Sequence, residues 1–138
     1  MAITKKPGRQ EKIVATVDYS FADLTSGTAV AAVNLPANAR ILSVTNKIGT
    51  AFNSATSDAL IIQSNESTPK AYITIGAASG ALSAGLTSVA ATTNLGFKNT
   101  VPSTLDVKWT GVGTAPTTGD GTLIVEYIVD GRAAFTHG

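Results

Sequence analysis

Short segments with one apolar face recur along the whole chain, and this pattern restricts the fold more than any other feature. In residues 122–129, Leu123, Val125, Tyr127 and Val129 fall on every second position, the period of a strand with one buried face. No segment shows the period of an amphipathic helix, so the sequence predicts an all-β fold. Strands are predicted at residues 13–21, 28–35, 40–48, 58–63, 70–75, 104–110 and 122–129.

Composition and length agree with this prediction. The β-branched residues Val, Ile and Thr number 41, whereas the strong helix formers Leu, Glu, Lys, Gln, Arg and Met number 25, a balance that favours strands. A chain of 138 residues is typical of one domain. We therefore predict a jelly roll or related β-sandwich over residues 13–138, ending in a C-terminal tail. For residues 76–93 a short helix, a weak strand and a loop all remain open.

Two predictions concern the packing of individual strands. Residues 104–110 and 122–129 are separated by a connection rich in Gly, Thr and Pro, which favours their antiparallel pairing. That pairing would place Trp109 near Tyr127 in the core and Lys108 near Glu126 on the opposite face. In the strand at 40–48, Leu42, Val44 and Ile48 are expected to share one face.

The charges of the chain are unevenly placed. Residues 1–12 carry a net charge of +3, whereas residues 13–138 carry −2. Pro7 and Gly8 disfavour both helix and strand, so we predict that residues 1–12 form a flexible, extended basic arm. The arm contains no aromatic residue and the rest of the chain is slightly acidic, which argues against nucleic acid. An acidic protein surface is the expected partner, and a solvated tail that binds nothing stays open as the alternative.

The residue inventory argues against enzymatic and cofactor chemistry. The chain has no cysteine, and its single histidine, His137, is the penultimate residue. Thiolate sites are thereby excluded, and an imidazole base or metal ligand is disfavoured. Glu126 and Asp130 are predicted on one face of the last strand, with Asp120 in the preceding loop, and we interpret these carboxylates as ordinary surface acids. We predict neither an enzyme nor a cofactor or metal site.

A membrane-spanning segment is not predicted either. The longest uncharged stretch, residues 71–97, contains four glycines and many Ser and Thr residues. Its large apolar groups are too few to favour hydrocarbon over water.

Three stretches in a fixed order carry a resemblance to a known family. They are Leu-Pro-Ala-Asn-Ala-Arg-Ile at 35–41, Ala-Phe-Asn-Ser at 51–54 with Thr-Ser-Asp at 56–58, and Leu-Ile-Val-Glu-Tyr-Ile-Val-Asp-Gly-Arg-Ala at 123–133. This ordered set resembles the head-decoration, or cement, proteins of tailed bacteriophages over roughly residues 28–133.

The resemblance implies a β-sandwich or jelly-roll protein on the outer surface of the virion. Its partner would be the major capsid protein, whose subunit contacts it would stabilise, and it would form a homo-oligomer, with a dimer favoured. The candidate docking residues lie in the arm and in the C-terminal tail: Lys5, Lys6, Arg9, Lys12, Arg132 and Phe135.

Two alternatives remain open at this point. One is a structural component of a phage tail or baseplate. The other is a β-sandwich that binds a receptor or carbohydrate. A carbohydrate site would need a cluster of exposed aromatic residues, whereas Trp109 is the single tryptophan and is expected in the core.

Overall fold

In a computed structural model, residues 11–130 are described and form eight strands with two short 3-10 turns. The turns are Phe21–Asp23, after the first strand, and Thr92–Asn94, after the sixth. The strands are β1 Ile13–Ser20, β2 Thr28–Leu35, β3 Ala39–Thr50, β4 Ser57–Ser64, β5 Ala71–Ala78, β6 Thr87–Val89, β7 Ser103–Val112 and β8 Asp120–Val129.

The strands form two antiparallel four-stranded sheets, with the order β1-β8-β3-β6 in the first and β2-β7-β4-β5 in the second. Strand β1 pairs with β8, β2 with β7, β3 with β6 and β4 with β5. These four pairs form one long antiparallel two-stranded ribbon, which rolls up so that its successive pairs lie alternately in the two sheets. The pairs β1–β8 and β3–β6 lie in the first sheet, and β2–β7 and β4–β5 lie in the second. This topology is the eight-stranded jelly roll, and the predicted fold class is confirmed.

The predicted pairing of the last two strands is wrong. Strand β7 lies between β2 and β4, whereas β8 lies between β1 and β3 in the other sheet. Residues 113–119 therefore connect the two sheets instead of closing a hairpin. Trp109 is buried, as predicted, but neither it nor Lys108 is paired with the strand that holds Tyr127 and Glu126. Alternation along a strand identifies its buried face, but it does not identify the neighbouring strand.

A β-bulge changes the expected face of one residue in β3. The register of β3 against β8 shifts between Ile41 and Ser43, because a bulge adds one unpaired residue to one strand. Ile41, Val44 and Ile48 are buried, whereas Leu42 is 41% exposed. The prediction for Val44 and Ile48 is confirmed, and that for Leu42 is wrong.

The hydrophobic core lies between the two sheets. Its fully buried side chains come from strands of both sheets: Val44, Ile48, Leu60, Ile62, Leu105, Val107, Leu123 and Val125. Leu82, in the connection between β5 and β6, is also fully buried. In the segment 76–93, left open above, β5 ends, the three-residue strand β6 follows and the second 3-10 turn begins.

The strand directions divide the sandwich into two ends. The connections at 21–27, 51–56, 79–86 and 113–119 lie at one end, which we call the distal end. The connections at 36–38, 65–70 and 90–102 lie at the other. Strand β1 begins and β8 finishes at that second end, which we call the terminal end.

Candidate docking surfaces

The candidate docking residues fall mostly outside the described part of the chain. Lys5, Lys6 and Arg9 precede residue 11, and Arg132 and Phe135 follow residue 130. Lys12 is described and lies at the terminal end, just before β1. The two chain segments that hold the candidates are therefore attached to the same end of the jelly roll.

Lys12 contacts the body of the protein. Its Nζ lies 2.9 Å from Glu126 Oε2 on β8, and Ser43 Oγ on β3 donates a hydrogen bond of 2.8 Å to Glu126 Oε1. The hydrogen bond from Lys12, followed by that from Ser43, lowers the pKa of Glu126 below its ordinary value. The ion pair joins the residue just before β1 to β8.

A second ion-pair cluster closes the terminal end of β8. Arg40 Nε lies 3.1 and 3.0 Å from the two carboxylate oxygens of Asp130, and Lys98 Nζ lies 3.9 Å from Asp130 Oδ2. Arg40 Nη1 also donates a 2.8 Å hydrogen bond to the carbonyl oxygen of Gly96. These contacts hold the connection between β6 and β7 against the end of β8, where the C-terminal segment begins.

The same connection presents two exposed apolar side chains. Phe97 is 58% exposed and Val101 is 62% exposed. Between them, Asn99 Nδ2 donates to the carbonyl oxygens of Pro36 and Val101 at 2.9 and 3.0 Å, while Asn99 Oδ1 accepts the N–H of Ala39 at 2.6 Å. The loop is thus held in one conformation by an asparagine at its centre.

The sequence analysis did not identify this apolar loop. An available signal was the pair of large apolar residues in a polar segment that also contains Lys98, Asn99 and Pro102. Lys70 Nζ lies 5.6 Å from the centroid of the Phe97 ring, within the range of a cation–π contact. An exposed aromatic ring with a neighbouring cation and a fixed backbone is suited to contact with a partner protein.

The three carboxylates considered for catalysis each have a local partner. Glu126 pairs with Lys12, Asp130 pairs with Arg40, and Asp120 Oδ1 accepts the N–H of Thr50 at 2.9 Å. Within residues 11–130, no group of three or more His, Asp or Glu side chains is placed to hold a metal ion. No helix in that range is long and apolar enough to cross a membrane.

Aromatic residues do not form a binding platform on the described surface. The Trp109 ring is buried and packs 5.8 Å from the Phe52 ring, centroid to centroid. Trp109 Nε1 donates a 2.9 Å hydrogen bond to the buried Asp58 carboxylate. Among the aromatic residues of 11–130, only Phe97 is exposed, so the arrangement offers one ring rather than a cluster.

Comparisons with known proteins show similarity at the level of structure. No protein-family model and no curated protein matches the sequence. A chain in the capsid structure of cyanophage Pam1 is 21% identical, with a TM-score of 0.63 over 94% of this chain and 92% of that chain. A chain in the acid-stable capsid structure of Helicobacter pylori bacteriophage KHP30 is 13% identical, with a TM-score of 0.62 over 87% of this chain and 93% of that chain. A chain in the capsid structure of Ralstonia phage GP4 is 19% identical, with a TM-score of 0.58 over 93% of this chain and 91% of that chain.

These three chains and the present one share a fold across nearly their whole lengths. The similarity agrees, at the level of the fold, with the resemblance to bacteriophage head proteins.

Proposed function

We propose that this chain is a structural virion protein that decorates the outside of a tailed-phage capsid and stabilises contacts between major capsid subunits. The observation that carries the proposal is the jelly-roll similarity to chains in three phage capsid structures, each covering at least 87% of this chain. The ordered motifs at 35–41, 51–58 and 123–133 support the same role. The proposal includes no enzymatic activity, cofactor, nucleic acid or membrane partner.

The proposed mechanism is mechanical. Packaged DNA places the shell under internal pressure, and a protein bound across neighbouring capsid subunits adds interface free energy that opposes their separation. Each contact can be weak, because the second contact forms at a high effective concentration once the first is made. A homo-oligomer, with a dimer favoured, multiplies these contacts.

The segments that hold the proposed docking residues are attached to the terminal end. The basic segment with Lys5, Lys6, Arg9 and Lys12 binds an acidic protein surface, and Arg132 and Phe135 bind the capsid. The exposed side chains of Phe97 and Val101, held by Asn99, lie at this same end. Their fixed position supports the terminal end as the surface that meets the shell, because a preorganised loop loses little conformational entropy on binding.

The test of this function is the copy number and position of the chain in purified virus particles. We expect quantitative mass spectrometry to find copies comparable in number to the major capsid protein, and imaging of intact heads to show density on the outer shell. A few copies located at the tail would instead establish the tail or baseplate alternative. Absence from the particle would overturn both and favour an unassigned β-sandwich binding module.

A further inference from the structure

The outer strands of the two sheets differ in how their free edges are protected. Strands β2 and β5 pair with their neighbours through register shifts, and β6 has only three residues. Strand β1 pairs with β8 along all eight residues without a shift. It contains no proline or lysine, and Asp18 is its one charged residue. A long, regular edge strand of this kind is a template for an additional strand.

The direction of the backbone hydrogen bonds shows which groups of β1 an added strand would meet. Phe21 N donates to Gly119 O at 2.9 Å, whereas Ser20 N donates to Asp23 Oδ2 at 2.9 Å rather than to β8. Backbone groups of an antiparallel strand alternate in direction. The outward N–H and C=O groups are therefore those of the even-numbered residues Val14, Thr16 and Asp18.

A cleft between β1 and β2 lies beside this edge and opens onto the hydrophobic core. Its volume is about 270 Å³, many times the ~30 Å³ that one water molecule occupies in the liquid, so it can admit the side chains of a partner. On the side of the sandwich formed by β5 and β6, the connection between those strands inserts the fully buried Leu82 into the core. Within residues 11–130, no connection fills the cleft in this way. Its apolar lining includes Val17, Leu24, Val30, Ala32 and Val107.

Three carboxylates surround the distal end of this cleft. Asp18 and Asp23 line the cleft itself, and both line an adjoining surface depression together with Asp120. Each accepts a hydrogen bond from a neutral group, but none forms an ion pair with a cation of residues 11–130. A partner that supplies Lys or Arg is complementary to this end of the cleft, because opposite charges across an interface select the partner and its register.

We propose that the cleft between β1 and β2 receives an extended, basic segment of the major capsid protein, added as a strand beside β1. The backbone of this segment pairs with Val14, Thr16 and Asp18. Its inward side chains are apolar and cover Val17 and Val30, while its outward side chains beside Asp18 include Lys or Arg. Because the side chains of a strand alternate between two faces, the segment is recognised by alternating apolar and cationic residues. The identity of the partner rests on the proposed function.

Other occupants are less well suited to the cleft. A second copy that paired its own β1 there would supply no cation, because β1 contains none. The chain's own basic arm contains Pro7 and Gly8, which disfavour a strand. Lys12, the arm residue nearest to β1, pairs with Glu126 on β8 instead. An extended segment of a separate protein meets both the hydrogen-bonding and the charge requirements of the cleft.

Site-specific cross-linking tests the occupant. The chain contains no cysteine, so one introduced cysteine can carry a single benzophenone label. Ala31 is exposed and lines the cleft, and labelled Ala31→Cys is the probe. Ala77→Cys, at an exposed alanine of β5 on the opposite side of the sandwich, is the matched control. On capsid shells that otherwise lack this protein, we expect the probe to cross-link to a basic segment of the major capsid protein and the control to lose that product.

Thr16→Pro tests the added strand. Proline at this position removes an outward N–H and spares the hydrogen bonds to β8, so the domain remains folded, which thermal unfolding checks. Thr16→Val keeps the N–H and is the matched control. In co-sedimentation with the same shells, we expect the dissociation constant of the proline variant to rise by about tenfold or more. The valine variant should bind as wild type does.

Asp18→Asn tests the charge of the cleft. Asparagine keeps the shape of the side chain and can still accept the hydrogen bond from Thr122, so the change removes mainly the negative charge. We expect the dissociation constant for shells to rise by about two- to fivefold, as for an exposed ion pair. The difference from wild type should shrink as salt rises.

Three results would overturn the inference. A cross-link from the Ala31 position to a second copy, or to residues 1–12 of the same copy, would assign the cleft to this chain. A bound probe that gives no cross-link to a basic capsid segment would leave the cleft without the proposed occupant. Unchanged shell binding by Thr16→Pro would exclude the added strand. Each result requires that the protein binds shells, whereas failure of wild type to bind would overturn the proposed function itself and this inference with it.

Discussion

Tyr19 on β1 donates a 2.5 Å hydrogen bond to Asn46 Oδ1 on β3, although β8 separates the two strands. Both side chains are buried. The contact is possible because Gly121, the β8 residue paired with Tyr19, has no side chain. A β-carbon at Gly121 would lie 2.5 Å from Tyr19 Oη. Gly121 therefore allows the Tyr19 side chain to extend over β8 and to hydrogen-bond to Asn46 on β3.

Gly121→Ala is expected to destabilise the fold by roughly 1–3 kcal/mol, the usual cost of overpacking a core. The tyrosine must move, and its hydrogen bond to Asn46 is strained or lost. Thermal or urea unfolding measures the effect. Gly76→Ala on β5 is the matched control, because a β-carbon there meets open space; an equal loss in both variants would contradict the explanation.

Alkaline pH should destabilise the protein through Tyr19. Burial raises the pKa of Tyr19 to about 12, with a smaller contribution from the charge of Asp120. The folded state thus holds the phenolic proton more tightly than the unfolded state, whose pKa is 10.0. The corresponding stability is fully present below pH 10 and is lost as pH rises towards 12, by about 2–3 kcal/mol.

Tyr19→Phe should flatten the decline in unfolding free energy between pH 10 and 12, even though losing the hydrogen bond lowers stability at neutral pH. Burial also raises the pKa of Tyr72, so a smaller decline should remain. Denaturant unfolding at several pH values measures both slopes. Identical slopes in wild type and variant would show that Tyr19 does not carry the effect.

Phe97→Ala should leave the unfolding temperature nearly unchanged, because the ring is mostly exposed. We expect it to weaken binding to capsid shells that lack this protein by about tenfold or more, as is typical for an aromatic residue at the centre of an interface. Val112→Ala, a substitution of a similarly exposed side chain at the distal end of β7, serves as the control. Co-sedimentation with shells gives the affinity, and equal binding by both variants would remove Phe97 from the interface.

Removal of residues 1–12 should leave the sandwich folded, because β1 begins at Ile13 and the lost ion pair between Lys12 and Glu126 is largely exposed. Binding to capsid shells should weaken, since the deletion removes a net charge of +3. The difference from wild type should shrink as salt rises, because salt screens exposed charges. Unchanged binding of the folded, truncated protein would rule out the arm as a docking element.

Sequence patterns alone predicted which residues face the core in most strands. Leu123, Val125 and Tyr127 on β8 are buried as expected, because the two-residue period of a strand is a local property. The all-β class and the burial of Trp109 follow from the same reasoning. The exposure of Leu42 could not be predicted in this way, because the bulge that turns it outward exists only in the register of β3 against β8.

Strand neighbours were decided by the tertiary structure alone. The sequence indicated that Glu126 faces a lysine across strands, and that lysine was predicted to be Lys108. In the structure it is Lys12, because rolling the ribbon places β1, and not β7, beside β8. Partner choice depends on which arrangement of two sheets buries all inward faces at once. The alternation of apolar and polar residues within one strand does not specify that arrangement. The strand pairings, and the surfaces that depend on them, are therefore determined only in the folded chain.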